Sequence, residues 1–216
     1  MKTDSQLQRD VMDELEWDPS IDHADIGVAV VDGVVSLNGY VRSYAEKMAA
    51  ERAARRVSGV KAIAEELHVR YASDAKTADH EIAKRILDMF RWNVIVPDEK
   101  LQVKVEHGWV TLSGETEWHY QSDEAVKIAA KVSGVTGVSN AIAIRNGPQA
   151  SDVRKRIEDA FRRQANLDAA TVTVTTAGGK VTLGGRVNGW FERRAAEQAA
   201  WAAPGVTQVE DHILVA

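Results

Sequence analysis

The sequence lacks cysteine and is poor in proline, which limits the kinds of protein it can encode. With no cysteine among 216 residues, the chain has no disulfides, no thiolate nucleophile and no cysteine-based zinc site. Four prolines and fifteen glycines leave no room for a long disordered or collagen-like region. No apolar run approaches the roughly 20 residues that a membrane-spanning helix requires. We therefore expect the stability of the fold to come from packing alone.

An excess of positive charge is also missing. The net charge is −5 and the pI is about 5.7, so no general basic surface is available to neutralise phosphates, and we predict no nucleic-acid partner. The start, "MKTDSQLQRDVMDELEWD", contains acids throughout and is not a secretory signal. This predicts a cytoplasmic protein, or a periplasmic one if a leader was removed. No histidine has metal-ligand spacing, and we predict neither a metal nor a cofactor.

One stretch of sequence is present three times. The segment "DGVVSLNGYV" from Asp32 returns as "HGWVTLSGET" from His107 and as "GGKVTLGGRV" from Gly178, at offsets of 75 and 71 residues. Before each copy, apolar residues recur at i, i+4 and i+8, which predicts an amphipathic helix. These residues are Leu7, Val11 and Leu15, then Ile82, Ile86 and Phe90, then Val153, Ile157 and Phe161.

The repeated stretch itself predicts a β-hairpin. Alternating runs such as "LQVKVE" flank pairs such as Asp32-Gly33, which favour the tight turns that need positive φ. A phosphate-binding loop is excluded, because no Lys-Ser/Thr and no immediate helix follow the second glycine. We assign backbone roles to the turn and strand-end glycines Gly33, Gly39, Gly108, Gly114, Gly179 and Gly185.

A second helix and a third strand complete each copy. Ser43-x-x-Glu46 predicts a capping box, and Gln121 and Glu192 hold the position of Glu46 in the other copies. An alanine-rich helix follows, and then an alternating strand. In this strand Glu65, Asn140 and Asp211 occupy the apolar side, which predicts a bulge or a sheet edge.

Each repeat is therefore an α-β-β-α-β unit, and the fold class is α+β. We predict three tandem domains over residues 1–70, 76–146 and 150–216, each a small mixed three-stranded sheet with two helices. Linkers are expected at residues 70–77 and 145–150.

The glycine-bounded hairpin, the alanine-rich helix and the ending "SGV…V…I.I" resemble the BON domain, named for bacterial osmotically inducible and nodulation proteins. The resemblance covers nearly the whole chain, three times over. It implies an αββαβ fold, no enzymatic activity, and attachment to phospholipid surfaces or envelope components during osmotic or other stress.

Candidate contact residues lie where each second helix begins. The third copy has nine basic and eight acidic residues and is the only copy with a positive balance; Trp190 and Phe191 lie beside Arg193 and Arg194 in it. Aromatic rings next to guanidinium groups suit a lipid headgroup region. In the alternative, Trp190 packs on its own helix and the arginines are solvated. Trp118, Tyr120 and Tyr44 occupy the same junction in the other copies, either as a shared contact surface or as staples that fix the helix entry.

Two functions stay open at this point. The favoured one is a non-catalytic adaptor that attaches to an anionic phospholipid surface or a protein partner through three linked modules. The alternative is a cytosolic sensor of a small ligand or ion, potassium in particular, which backbone carbonyls at the hairpin turns or between modules hold. A cytosolic relative associated with potassium binding motivates this alternative. An enzyme ranks third, because no triad or phosphate loop supports it.

Overall fold

The computed structural model describes residues 2–70, 78–145, 152–164 and 169–215. Most of both predicted linkers, and the start of the third predicted domain, lie outside these residues. Contacts group the chain into one unit of residues 1–114 and 123–141 and another of residues 115–122 and 142–216.

Helices and strands follow the same order in all three repeats, which confirms the predicted αββαβ modules. The first module consists of α1 (Asp4–Trp17), β1 (Ile26–Val31), β2 (Val34–Val41), α2 (Tyr44–Arg56) and β3 (Ala62–Val69). The second consists of α3 (Asp79–Trp92), β4 (Leu101–Glu106), β5 (Trp109–Thr116), α4 (His119–Ala130) and β6 (Gly137–Ile144). The third consists of α5 (Val153–Arg163), β7 (Val172–Ala177), β8 (Lys180–Val187), α6 (Trp190–Trp201), β9 (Gln208–Asp211) and β10 (Leu214–Val215).

The middle strand of each sheet is the second strand of its hairpin. In the first module β2 pairs antiparallel with β1 and parallel with β3. The same order, β4-β5-β6, is present in the second module. In the third module the last strand is interrupted, and its two pieces, β9 and β10, both pair parallel with β8. The third strand is therefore an edge strand in every module.

The core of each module lies between the helices and one face of the sheet. In the first module the stripe of Leu7, Val11 and Leu15 is buried against Val35 and Leu37 of β2. The equivalent stripe of α5 packs in the same way in the third module. The second helix contributes alanines to these cores. Small side chains let this helix lie close to the sheet, because little volume separates the two backbones.

Backbone geometry explains the glycines at the hairpin. Asp32 and Gly33 have φ of 52° and 81°, as a two-residue turn of the primed type requires. Gly114 has φ of 117°, and a Cβ placed there would lie 2.1 Å from the carbonyl oxygen of Lys100. Such a contact forbids any side chain at this position. Positive φ is also found at the other assigned positions, Gly39, Gly108, Gly179 and Gly185.

The acidic residues on the apolar side of the edge strands are paired with the second helix. Glu65 lies 2.9 Å from the ammonium of Lys47, and Asp211 accepts a 2.6 Å hydrogen bond from Arg193. The register of β3 with β2 is continuous through Glu65, so the prediction of an edge holds and no bulge is present there. Each ion pair stabilises a partly buried carboxylate at the edge of the sheet, because a carboxylate that is withdrawn from water needs a charged or hydrogen-bonding partner.

Candidate functional site

A carboxylate holds the hairpin turn in the first two modules. Both oxygens of Asp79, the first residue of α3, accept backbone N–H groups of the turn, from His107 at 2.8 Å and Gly108 at 2.9 Å. Asp4 binds Asp32 and Gly33 in the same way. The N–H groups of Gly108 and His107 lower the pKa of Asp79, because they stabilise its charged form. The first helix and the hairpin are thereby joined at one point in each of these modules.

The carbonyl of the second turn residue is also engaged within its own module. Gly33 accepts a 2.9 Å hydrogen bond from the N–H of Lys61, Gly108 a 2.9 Å bond from Thr136, and Gly179 a 2.8 Å bond from Thr207. A cation coordinated by these carbonyls would compete with the backbone bonds that fix the start of the third strand. This geometry disfavours the hairpin turns as a potassium site.

A second carboxylate links the start of α2 to the loop before β1. Ser43 accepts the N–H of Glu46 at 3.1 Å, as the capping box predicts. The prediction is wrong for the return bond, because the Glu46 carboxylate reaches past Ser43 to the N–H groups of Arg42 and Asp22, both at 2.7 Å. These residues also line a shallow cleft of about 500 Å³ in the first module.

The four candidate residues of the third module fall into two pairs. Arg193 lies over the ring of Trp190, 5.1 Å from its centre, and is held by Asp211. Trp190 thus has a contact on its own helix, as in the alternative, but Arg193 is ion-paired rather than solvated. Phe191 is 62% exposed, and Arg194, one helical turn further on, is exposed and has no ion pair within the described residues. Phe191 and Arg194 therefore face solvent together.

Aromatic residues at the same junction of the other modules differ in exposure. Trp118 and Tyr120 are exposed, and His119 between them stacks on Trp201 with ring centres 3.9 Å apart. Tyr44 is half-buried, and burial raises its pKa, against a smaller opposing effect of the backbone of Val138. Trp118 and Tyr120 thus stay available for contact, whereas Tyr44 is engaged in an internal contact.

The most exposed aromatic residues were not among the predicted contacts. Trp17 and Trp92, at the equivalent ends of α1 and α3, are 82% and 87% exposed. After Trp92 the chain continues with Val94, which is fully exposed at 100%, and Ile95. The first module has Pro19 at the position of Val94. We call residues 92–95 the apolar tip. The signal in the sequence was the placement of both tryptophans beyond the last buried position of their helices.

The family of the chain follows from its match to a domain model. The model of the BON domain matches three times, over residues 3–71, 78–146 and 149–216. The chain belongs to the BON domain family. The resemblance inferred from the hairpin and the alanine-rich helix is thereby confirmed.

Relatives of this BON-domain chain include an osmotically inducible protein. Osmotically-inducible protein Y of Escherichia coli K12 is 35% identical over 146 residues, which is 63% of this chain and 70% of that protein. Solved structures of CdsD, a structural protein of the type III secretion system of Chlamydia trachomatis, are 16% identical with a TM-score of 0.27. The alignment with one of these structures covers 96% of this chain and 91% of the CdsD chain. The alignment with the structure of the CdsD C-terminal domain covers 100% of each chain.

The BON modules offer surfaces for binding outside the chain. Among the described residues, no helix is both long enough and apolar enough to cross a membrane. Exposed large apolar side chains occur in all three modules, and the apolar tip combines three of them, Trp92, Val94 and Ile95, within four residues. A group of neighbouring exposed apolar side chains is a candidate contact surface, because covering it with a partner removes apolar area from water.

Proposed function

We propose that this BON-domain protein is a non-catalytic, stress-related binding protein that attaches to an anionic phospholipid surface. The stress role is supported by the osmotically inducible relative, and the binding role by the three BON modules. The observation that carries the lipid proposal is the apolar tip, with Trp92 at 87% and Val94 at 100% exposure.

Tryptophan suits the boundary between lipid and water. Its ring is apolar and its indole N–H is a hydrogen-bond donor, so it is stable at the level of the headgroups. Val94 adds an aliphatic group next to it along the chain. Burying one large apolar side chain stabilises the bound state by about 2 kcal/mol, which corresponds to roughly 30-fold in affinity.

The third module adds a second, electrostatic contact. Phe191 is exposed with Arg194 on the same face of α6, since residues at i and i+3 are neighbours on a helix. Each basic residue near an anionic membrane contributes on the order of 1 kcal/mol. Two weak contacts on one chain bind more strongly together than either alone.

Co-sedimentation with vesicles tests the proposal on the full chain. We expect pelleting with vesicles that contain phosphatidylglycerol, little pelleting with pure phosphatidylcholine, and a decrease at high salt. Absence of pelleting with anionic vesicles at low salt would show the proposal to be wrong, and so would equal pelleting with neutral vesicles.

The chain provides its own matched control for the apolar tip. Trp92→Ala should lower vesicle affinity roughly 30-fold. Trp17→Ala should change it little, because Pro19 follows Trp17 where the fully exposed Val94 follows Trp92. Equal effects of the two substitutions would contradict the role of the tip. Arg194→Glu should remove most of the salt dependence, and an unchanged salt dependence would contradict the role of the third module.

A further inference from the structure

The hairpin turn presents two neighbouring backbone N–H groups in each module. In the first two modules both are occupied by one aspartate: Asp4 accepts them at 2.9 and 3.1 Å, and Asp79 at 2.8 and 2.9 Å. Each carboxylate oxygen takes one N–H, so the turn is a two-pronged receptor for a carboxylate. The chain itself thus contains two occupied examples of this receptor.

The turn of the third module has similar φ values. Gly178 and Gly179 have φ of 58° and 76°, close to the 53° and 78° of His107 and Gly108. The carbonyl of Gly179 accepts the N–H of Thr207, as the carbonyl of Gly108 accepts that of Thr136. The two turns therefore share their φ values and the anchor of their second carbonyl, although only the third has a further 2.8 Å hydrogen bond, from the N–H of Lys180 to the carbonyl of Gly178.

The aspartate is missing from the third module. The repeat offsets align Asp4 of the first module with Asp79 of the second and Ala150 of the third. Ala150 lies outside the described residues, but an alanine has no carboxylate. Within the described part of the chain, the N–H groups of Gly178 and Gly179 have no hydrogen-bond partner. A Cβ built on Gly178 would meet no atom within 4 Å. Among the described residues, no acceptor therefore occupies this pair of N–H groups.

Charge in this module favours an anion. The first turn of α5 has no acidic residue, whereas the first turns of α1 and α3 contain acids; the one acid beside it is the N-cap Asp152, which is exposed. Lys155 and Arg156 are exposed there, without ion pairs to described residues. The third module is also the copy with a positive balance of charge. A carboxylate that approaches this module meets less repulsion than it would elsewhere on the chain.

We propose that the Gly178–Gly179 turn binds an aspartate or glutamate carboxylate of an acidic peptide segment from a partner protein. The two oxygens accept the two N–H groups, in the geometry that Asp79 shows within the second module. Hydrogen bonds to a charged acceptor are stronger than neutral ones. They are few and exposed here, so a single residue binds weakly and the rest of the segment adds affinity. This site is independent of the proposed lipid contacts.

Nuclear magnetic resonance of the ¹⁵N-labelled full chain tests the site. Titration with blocked aspartate (N-acetyl, N-methylamide) should move the amide signals of Gly178 and Gly179 saturably in the millimolar range. Blocked asparagine should not move them, because it offers one neutral acceptor. No saturable shift at these two glycines, or an equal response to asparagine, would overturn the proposal. A stronger response to inorganic phosphate or to phosphatidylglycerol vesicles than to aspartate would assign the site to phosphate and overturn the ligand class.

Reciprocal variants separate a site from a general charge effect. Ala150→Asp supplies the missing carboxylate and should abolish the response of Gly178 and Gly179. Asp79→Ala empties the equivalent turn and should create a response at His107 and Gly108, provided that the other amide signals of the second module are unchanged. A response of Gly178 and Gly179 that persists in Ala150→Asp would contradict the proposal, whether or not the Asp79 variant folds.

Discussion

The buried carboxylate of Glu46 gives the sharpest test of how a module is held together. It is 7% exposed and accepts the N–H groups of Arg42 and Asp22, each at 2.7 Å. Glu46→Ala removes both bonds. A hydrogen bond to a charged group contributes about 1.5–3 kcal/mol, and the cleft beside Glu46 lets water reach the freed N–H groups. We therefore take the lower value and expect a loss of about 3 kcal/mol, more than half of the roughly 5 kcal/mol of a marginal domain.

Glu46→Gln is the matched control, because the second module already uses glutamine here. A single oxygen of Gln121 accepts the N–H groups of both Glu117 and Trp118 at 3.1 Å. Glutamine at position 46 keeps an acceptor in place and loses its charge, so we expect a cost of about 1 kcal/mol.

Native-state hydrogen exchange on the full chain measures both losses. Amides of β2 should lose protection in the order wild type, Glu46→Gln, Glu46→Ala, and amides of β8 should be unchanged as an internal reference. Equal protection in the two variants would refute the reasoning, since it would mean that the carboxylate oxygens do not hold the loop.

Two further predictions concern the hairpins. The folded-state pKa of Asp79 is lowered from its ordinary value of 3.8. The contribution of Asp79 to the stability of its module is therefore complete above pH 3.8 and is lost as the pH falls through the lowered pKa. Hydrogen exchange of the β5 amides should show this loss, and Asp79→Asn should abolish the pH dependence. Gly185→Ala should cost more than about 3 kcal/mol and Gly178→Ala about 1 kcal/mol, because a Cβ at Gly185 would lie 2.0 Å from a carbonyl oxygen and one at Gly178 meets no atom. Thermal unfolding of the two variants checks this order, and similar melting temperatures would contradict it.

Local rules made most of the fold predictable from the sequence. Apolar spacing fixed the buried face of α1, because a helix places i, i+4 and i+8 on one side. Turn chemistry located the hairpins, because a two-residue turn between alternating strands needs positive φ. These signals lie within a few residues of one another, and three copies made them easier to separate from chance.

Contacts between distant residues were beyond such rules. Asp79 lies 28 residues before His107, and Glu46 lies 24 residues after Asp22. The spacing of apolar residues in the sequence does not predict which of these distant residues form hydrogen bonds. The exposure of Trp92 was also missed, because the pattern of a helix gives its buried face but does not tell where the last turn leaves the core.

Differences between the copies indicate where function resides. At one equivalent place the modules have Lys47 with Glu65, Ser122 with Asn140, and Arg193 with Asp211. Charge is present on both members or on neither, as expected if each copy had to keep this edge strand satisfied. The surfaces show no such exchange: the apolar tip belongs to the second module, and in the third module no described residue accepts the N–H groups of the turn. The uncompensated positions are therefore where binding should be sought, module by module.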